Sequence, residues 1–106
     1  MSTIFFKKIT LGLFLILTSS STFADDKMTL GLEVYNKKAM CGTCHALQAA
    51  GSESQIGPNL DYLKPQISGI IYTVTNGIGV MPAFDVTLTA EEIEAVAYYV
   101  FENTNK

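Results

Sequence analysis

Apolar residues recur at helical spacing in three separate stretches of the chain. The first stretch runs from Thr29 to about Ala39, with small and apolar positions three or four residues apart. The second runs from near Pro65 to Thr75, where isoleucine and valine side chains share one face and Pro65 suits a first helical turn. Asn76-Gly77 is typical of a helix end. These patterns predict two short helices.

The third stretch carries the clearest helix signals. Thr89 is a good N-cap, and Glu92 three residues later completes a capping box. The apolar seam that follows has the i, i+3, i+4, i+7 spacing: Ile93, Val96, Ala97 and Val100. No run alternates with period two. The sequence therefore predicts an all-α fold with three main short helices and long loops.

The segments between these helices carry turn residues. Residues 46–50 are predicted to end a helical turn, and residues 51–57 to form a loop. Gly57-Pro58-Asn59 is a turn signal. A loop that contains Gly77 and Gly79 precedes the last helix.

The N-terminus has the layout of a secretory signal peptide. Lys7 and Lys8 precede an apolar run over residues 9–17, and small residues lead to Ala24. That run is too short for a membrane anchor, which needs roughly 20 apolar residues. We predict cleavage after Ala24, which divides the chain into a signal peptide over 1–24 and one domain over 25–106. We expect the product to lack a stable membrane anchor and to lie in the periplasm.

The predicted domain is acidic. It holds all ten acidic residues of the chain but only five basic ones, which gives a net charge of −5. Nucleic acid is a poor partner for this surface, because its phosphates demand basic residues. A protein with a positive docking patch is a better one.

Both cysteines and the only histidine lie together in CGTCH, residues 41–45. A structural zinc site needs four ligands, and the chain lacks a second cysteine or histidine pair. A thiol–disulfide exchanger uses CxxC at a strand-to-helix junction, whereas the residues before Cys41 look helical. Both alternatives explain the motif poorly.

C-x-x-C-H is the signature of covalent haem attachment. On a helical turn, positions i, i+3 and i+4 share a face, so Cys41 and Cys44 can bond the haem while His45 reaches the iron. Gly42 and Thr43 are too small to obstruct the ring. We therefore predict one covalently attached haem c, with His45 as an iron ligand.

Met81 is the predicted second axial ligand. It lies in a loop between two helices, and Pro82 stiffens that loop while Gly77 and Gly79 allow backbone to approach the haem. His/Met ligation fills both axial positions and favours electron transfer over catalysis. The alternative is a haem enzyme or gas sensor with a labile sixth ligand.

A ligating histidine also needs a carbonyl partner for its other nitrogen, and the segment around Pro58 is a candidate source.

CGTCH, GPNL, TNGIGVMPAF and the tyrosine-containing last helix together resemble the class I c-type cytochromes of small bacterial monohaem type. The resemblance implies the cytochrome c fold, with Gly31 and Tyr35 of the first helix crossing Val96 and Tyr99 of the last. It also implies that the carbonyl of Pro58 accepts a hydrogen bond from the ring of His45.

The resemblance further implies a periplasmic electron carrier, not an enzyme, that docks transiently with redox proteins such as a periplasmic dehydrogenase or a terminal oxidase or reductase. The lysine ring of mitochondrial relatives is absent, so their partners do not carry over. Some short cytochromes with a similar GVMPAF segment resemble electron acceptors of sulfite dehydrogenases.

Overall fold

The computed structural model describes residues 22–106. Helix α1 spans Thr22–Glu33 and continues into a π-helical turn over Val34–Lys38, closed by a 2.8 Å hydrogen bond from the Ala39 amide to the Val34 carbonyl. The predicted helix is present, but it begins earlier and its last turn is wider than an α-helix. The predicted signal peptide lies mostly in residues 1–21, outside the described part, so its cleavage stays a prediction.

The other two main helices form where the sequence predicts them. Helix α3 spans Ile67–Asn76 and helix α4 spans Ala90–Thr104. The capping box at Thr89 is present: its amide donates to Glu92 Oε1 at 2.9 Å, and the Glu92 amide donates to Thr89 Oγ1 at 3.1 Å. Within residues 22–106, none of the helices combines the length and apolar character that a membrane crossing needs.

Helices α1 and α4 cross at Gly31, whose backbone approaches the backbone oxygen of Ala95 and the Cβ of Tyr99. A side chain at Gly31 would collide with both, so the close crossing requires glycine. Beside it, the rings of Tyr35 and Tyr99 are 5.9 Å apart, a distance typical of favourable aromatic pairs. This is the crossing that the resemblance implied, and it brings the two ends of the described chain together.

The core collects around this crossing. Val34, Tyr35 and Leu47 have no exposed surface. The predicted apolar face of α4 is buried throughout, and α3 contributes Ile70 and Val74. Helices therefore build most of the core, as the all-α prediction expects, although Leu47 belongs to a two-residue strand.

Three short elements differ from the prediction. Ala46–Leu47 (β1) pairs antiparallel with Ser52–Glu53 (β2), and a 3₁₀ turn and Gly51 at φ 72° connect them. Leu60–Leu63 forms a single helical turn, α2, capped by the Asn59 side chain. Of residues 46–50, which were predicted to end a helical turn, 46–47 instead form a strand, whereas 48–50 do form a helical turn, of the 3₁₀ type. Two-residue strands are too short to show a period, which is why the pattern missed them.

Candidate functional site

The CGTCH motif forms a tight turn after the π-helical turn. Met40 adopts the left-handed conformation at φ 53°, which breaks the helix, and Cys41–Thr43 then form a 3₁₀ turn. The Cys41 carbonyl accepts from the Cys44 amide at 3.1 Å and from the His45 amide at 3.0 Å. This one carbonyl therefore fixes the backbone of Cys44 and His45.

The His45 ring is held by the loop that follows the hairpin. Its Nδ1 lies 2.7 Å from the Pro58 carbonyl oxygen. A carbonyl only accepts, so Nδ1 carries the proton and Nε2 keeps its lone pair. The Gly57 amide donates to the Cys44 carbonyl at 2.6 Å, which ties the same loop to the motif.

Gly57 leaves the room that this imidazole needs. A Cβ at Gly57 would lie 2.8 Å from His45 Cε1 and 3.0 Å from its Nδ1. Real Cβ atoms do not approach that closely, so the ring packs directly over the Gly57 backbone. The contact between His45 and Pro58 that the resemblance implied is present, and Gly57 makes it possible.

Cys41 is partly buried against the core, and desolvation of its thiol raises the pKa to about 11. Cysteines that exchange disulfides have a lowered pKa, because the thiolate is the nucleophile. The environment of Cys41 therefore argues against the thiol–disulfide exchanger. Among the described residues, no group of three histidine, cysteine or acidic side chains is arranged to hold a metal ion.

Met81 lies in a small closed loop before α4. Ile78 and Met81 exchange two backbone hydrogen bonds of 3.0 and 2.9 Å. Gly77, at φ 75°, packs so tightly that a Cβ there would lie 2.7 Å from the Met81 carbonyl oxygen. Met81 itself is half-buried and packs against the core.

The approach of the Gly77 and Gly79 backbone to a haem stays a prediction, and the structure shows what these glycines do within their own loop. Gly77 approaches the backbone of its own loop, and a Cβ at Gly79 would contact nothing within 4 Å. Both have positive φ, which is a conformational reason for glycine. The glycines close the loop around Met81, and the Phe84 amide fastens it to the Val74 carbonyl of α3 at 2.8 Å.

These residues fit a haem. Two cysteines share one turn, and His45 keeps Nε2 free for a metal because its other nitrogen is bonded to Pro58. Gly57 leaves a cradle for the imidazole that any side chain would fill. The Met81 thioether is carried on a loop fastened by backbone hydrogen bonds. Cysteine thiols are the groups that attach haem c covalently, and imidazole and methionine thioether are the iron ligands of cytochromes c.

Comparison with known proteins places this site in a family. The family described as cytochrome C oxidase, cbb3-type, subunit III matches residues 26–100. The chain belongs to the class I c-type cytochromes. Membership implies a covalently bound haem c with its iron, and Cys41 and Cys44 stand in the CxxC pattern.

A solved structure supports the fold of this cytochrome. The crystal structure of the c-type cytochrome SorU from Sinorhizobium meliloti is 46% identical, with a TM-score of 0.72 over 77% of this chain and 95% of SorU. At 46% identity, the two proteins are alike in sequence as well as in fold.

Curated relatives are cytochromes c6. The chloroplastic cytochrome c6 of Chlamydomonas reinhardtii is 36% identical over 83% of this chain, and the match spans 62% of that relative's length. The cytochrome c6 of Microcystis aeruginosa is 38% identical over 64% of this chain and 89% of its own.

Three contacts made by the Tyr35 and Lys38 side chains were not predicted from the sequence. The Tyr35 hydroxyl lies 3.0 Å from Ser52 Oγ and 3.4 Å from the His45 carbonyl oxygen. Lys38 at the end of the π-helical turn pairs with Glu92 of α4 at 2.9 Å. None of these contacts has a local sequence signal, because the partners are not neighbours in the chain.

Proposed function

We propose that this cytochrome is a periplasmic electron carrier whose single haem c is attached through Cys41 and Cys44 and ligated by His45 and Met81. The observation that carries the proposal is the 2.7 Å contact between His45 Nδ1 and the Pro58 carbonyl. It fixes the tautomer and the orientation of an imidazole that adjoins two cysteines on one turn. A histidine held in this way is prepared for an iron ligand.

Hydrogen bonds within the protein restrain both proposed axial ligands, His45 and Met81. His45 is held through its amide by Cys41 and through its ring by Pro58. Met81 is held by the paired hydrogen bonds with Ile78. The haem supplies one-electron redox chemistry when bound, and methionine as the second ligand raises its potential. Rigid ligands limit the rearrangement that accompanies each transfer.

Charge and surface character support transient docking with redox proteins rather than a catalytic role. The domain after residue 24 is acidic, which suits a partner with a positive patch. Ile78 and Val80 beside Met81 are 68% and 93% exposed and offer an apolar contact. A periplasmic dehydrogenase as donor, or a terminal oxidase or reductase as acceptor, has the required chemistry.

The experiment that tests this function replaces Met81. The Met81→Ala holoprotein should bind carbon monoxide when reduced, because the sixth position is no longer filled, while wild type should bind it slowly or not at all. Met28→Ala is the matched control, since Met28 packs against the core and its sulfur lies 3.7 Å from Asn103 Nδ2. Rapid carbon monoxide binding by wild type would contradict the carrier and favour a haem enzyme or gas sensor.

A further inference from the structure

The phenol of Tyr35 is a buried polar group that the proposed ligation does not use. Tyr35 has no exposed surface, although its ring carries a hydroxyl. The hydroxyl lies 3.0 Å from Ser52 Oγ, which we call the Tyr35–Ser52 hydroxyl pair. The crossing of α1 and α4 requires only the aromatic ring, which packs at 5.9 Å from Tyr99. The hydroxyl therefore needs its own explanation.

The pair faces two backbone carbonyls on either side of Ala46. The Tyr35 hydroxyl is 3.4 Å from the His45 carbonyl oxygen, and Ser52 Oγ is 3.4 Å from that of Leu47. The pair carries two protons. In either proton order, one hydroxyl donates to the other and the remaining donor faces a carbonyl. The pair thus links the first helix to the segment that carries His45.

The phenol is in its donating form at neutral pH, as any ordinary tyrosine is, and burial reinforces this. Desolvation raises the pKa of Tyr35 to about 12, against a lowering contribution from Ser52. The hydroxyl is therefore protonated at all physiological pH values.

Ser52 also contacts the CGTCH turn directly. A Cβ at Gly42 would lie 2.9 Å from the Ser52 Cβ and 3.5 Å from Tyr35 Cε1. The pair is packed against the motif from one side, while Gly57 and Pro58 hold the His45 ring. Loss of the Tyr35 hydroxyl would remove the side-chain donor to the His45 carbonyl, and loss of the Ser52 hydroxyl would remove the partner that orients the phenol.

We propose that the Tyr35–Ser52 hydroxyl pair is a positioning element for His45, which fixes the backbone after the motif so that the imidazole keeps its hydrogen bond to Pro58. The proposal rests on the proposed function, in which His45 ligates the haem iron. Tyr35 and Ser52 act only through His45. A firm bond to Pro58 makes the imidazole a stronger donor to iron and so favours the ferric state.

The test compares Tyr35→Phe, Ser52→Ala and the control Tyr98→Phe as reduced holoproteins. Tyr98 lies on α4 with Lys27 over its ring at 5.4 Å, so the control removes a phenol hydroxyl away from the motif. We expect hydrogen exchange of the His45 Nδ1–H, followed by NMR, to accelerate roughly three- to tenfold in both pair variants, the range for loss of one hydrogen bond. Their reduction potentials should rise, and those of Tyr98→Phe and wild type should agree.

A purely structural role would accelerate amide exchange throughout α4 as much as at His45, and would overturn the proposal. Unchanged His45 exchange and an unchanged potential in both pair variants would overturn it as well. Ser52→Thr keeps the hydroxyl and should restore both values. If Tyr35→Phe fails to fold, the comparison of Ser52→Ala with Ser52→Thr decides alone.

The two proposals fail in distinguishable ways. If His45 does not ligate the haem iron in wild type, the proposed function fails and the positioning role fails with it. If wild type shows His45 and Met81 on the iron but the pair variants match it, only the positioning role is wrong.

Discussion

Replacement of Gly31 by alanine should destabilise the protein through a single methyl group. That Cβ would lie 2.5 Å from the Cβ of Tyr99 and would also collide with the backbone oxygen of Ala95. Carbon atoms in contact are about 3.5–4.0 Å apart, so α1 and α4 would have to separate by about 1 Å at the crossing. Neither atom is the end of a flexible side chain, so the helices themselves must move.

The magnitude follows from two opposing effects. Overpacking of a close interface costs about 1–3 kcal/mol, and a collision with backbone belongs at or above the upper end. Alanine improves helix propensity by about 1 kcal/mol over glycine, which offsets part of the loss. We expect a net loss of about 2 kcal/mol in the free energy of unfolding, measured by denaturant titration of the holoprotein.

Gly69→Ala is the matched control. Gly69 lies within α3 and is exposed, and a Cβ there would contact nothing within 4 Å. This variant should be as stable as wild type or more stable by up to about 1 kcal/mol. Equal unfolding free energies for the two alanine variants would refute the argument that the crossing requires glycine.

Three further predictions concern the site and α4. Gly57→Ala should push the His45 ring, because the new Cβ would lie 2.8 Å from Cε1; a raised reduction potential is expected, and a potential equal to that of wild type would contradict it. Thr89→Ala removes the capping oxygen bonded to the Glu92 amide at 3.1 Å and should lower the unfolding free energy by about 1 kcal/mol, whereas no loss would mean that the cap is dispensable. The Thr89 backbone amide, and then Lys38, lower the pKa of Glu92. The stability that Glu92 contributes is therefore complete above the ordinary glutamate pKa and is lost as pH falls through its lowered folded-state pKa. The stability difference between wild type and Glu92→Gln should shrink over that range in urea titrations, and a constant difference would count against this assignment.

Local patterns predicted the elements that depend on local chemistry. The capping box at Thr89 and the apolar seam of α4 are short-range signals, and both are present. The three main helices, the crossing at Gly31 and the turn at CGTCH follow from spacing or from the family pattern. The contact of His45 with Pro58 came from the family pattern, because the residues alone left Pro58 open as an ordinary turn proline.

Contacts between distant residues were not predictable in the same way. The Tyr35–Ser52 hydroxyl pair joins residues 17 positions apart, and nothing beside Ser52 marks it as the partner of a buried phenol. The π-helical turn at Val34–Lys38 also escaped prediction, because its residues fit an α-helical period equally well. The contact of Gly77 with the backbone of its own loop was also not predicted, because no local pattern indicates it.

The central claim is that a covalent haem is held between His45 and Met81, and one absorption measurement tests it. Spectra of the oxidised and reduced protein, made in a host that attaches haem, are recorded before and after acid–acetone extraction. We expect colour that stays with the protein and the weak far-red band of a methionine-bound ferric haem, which Met81→Ala abolishes. A haem that extracts, or a far-red band that survives in Met81→Ala, would contradict it.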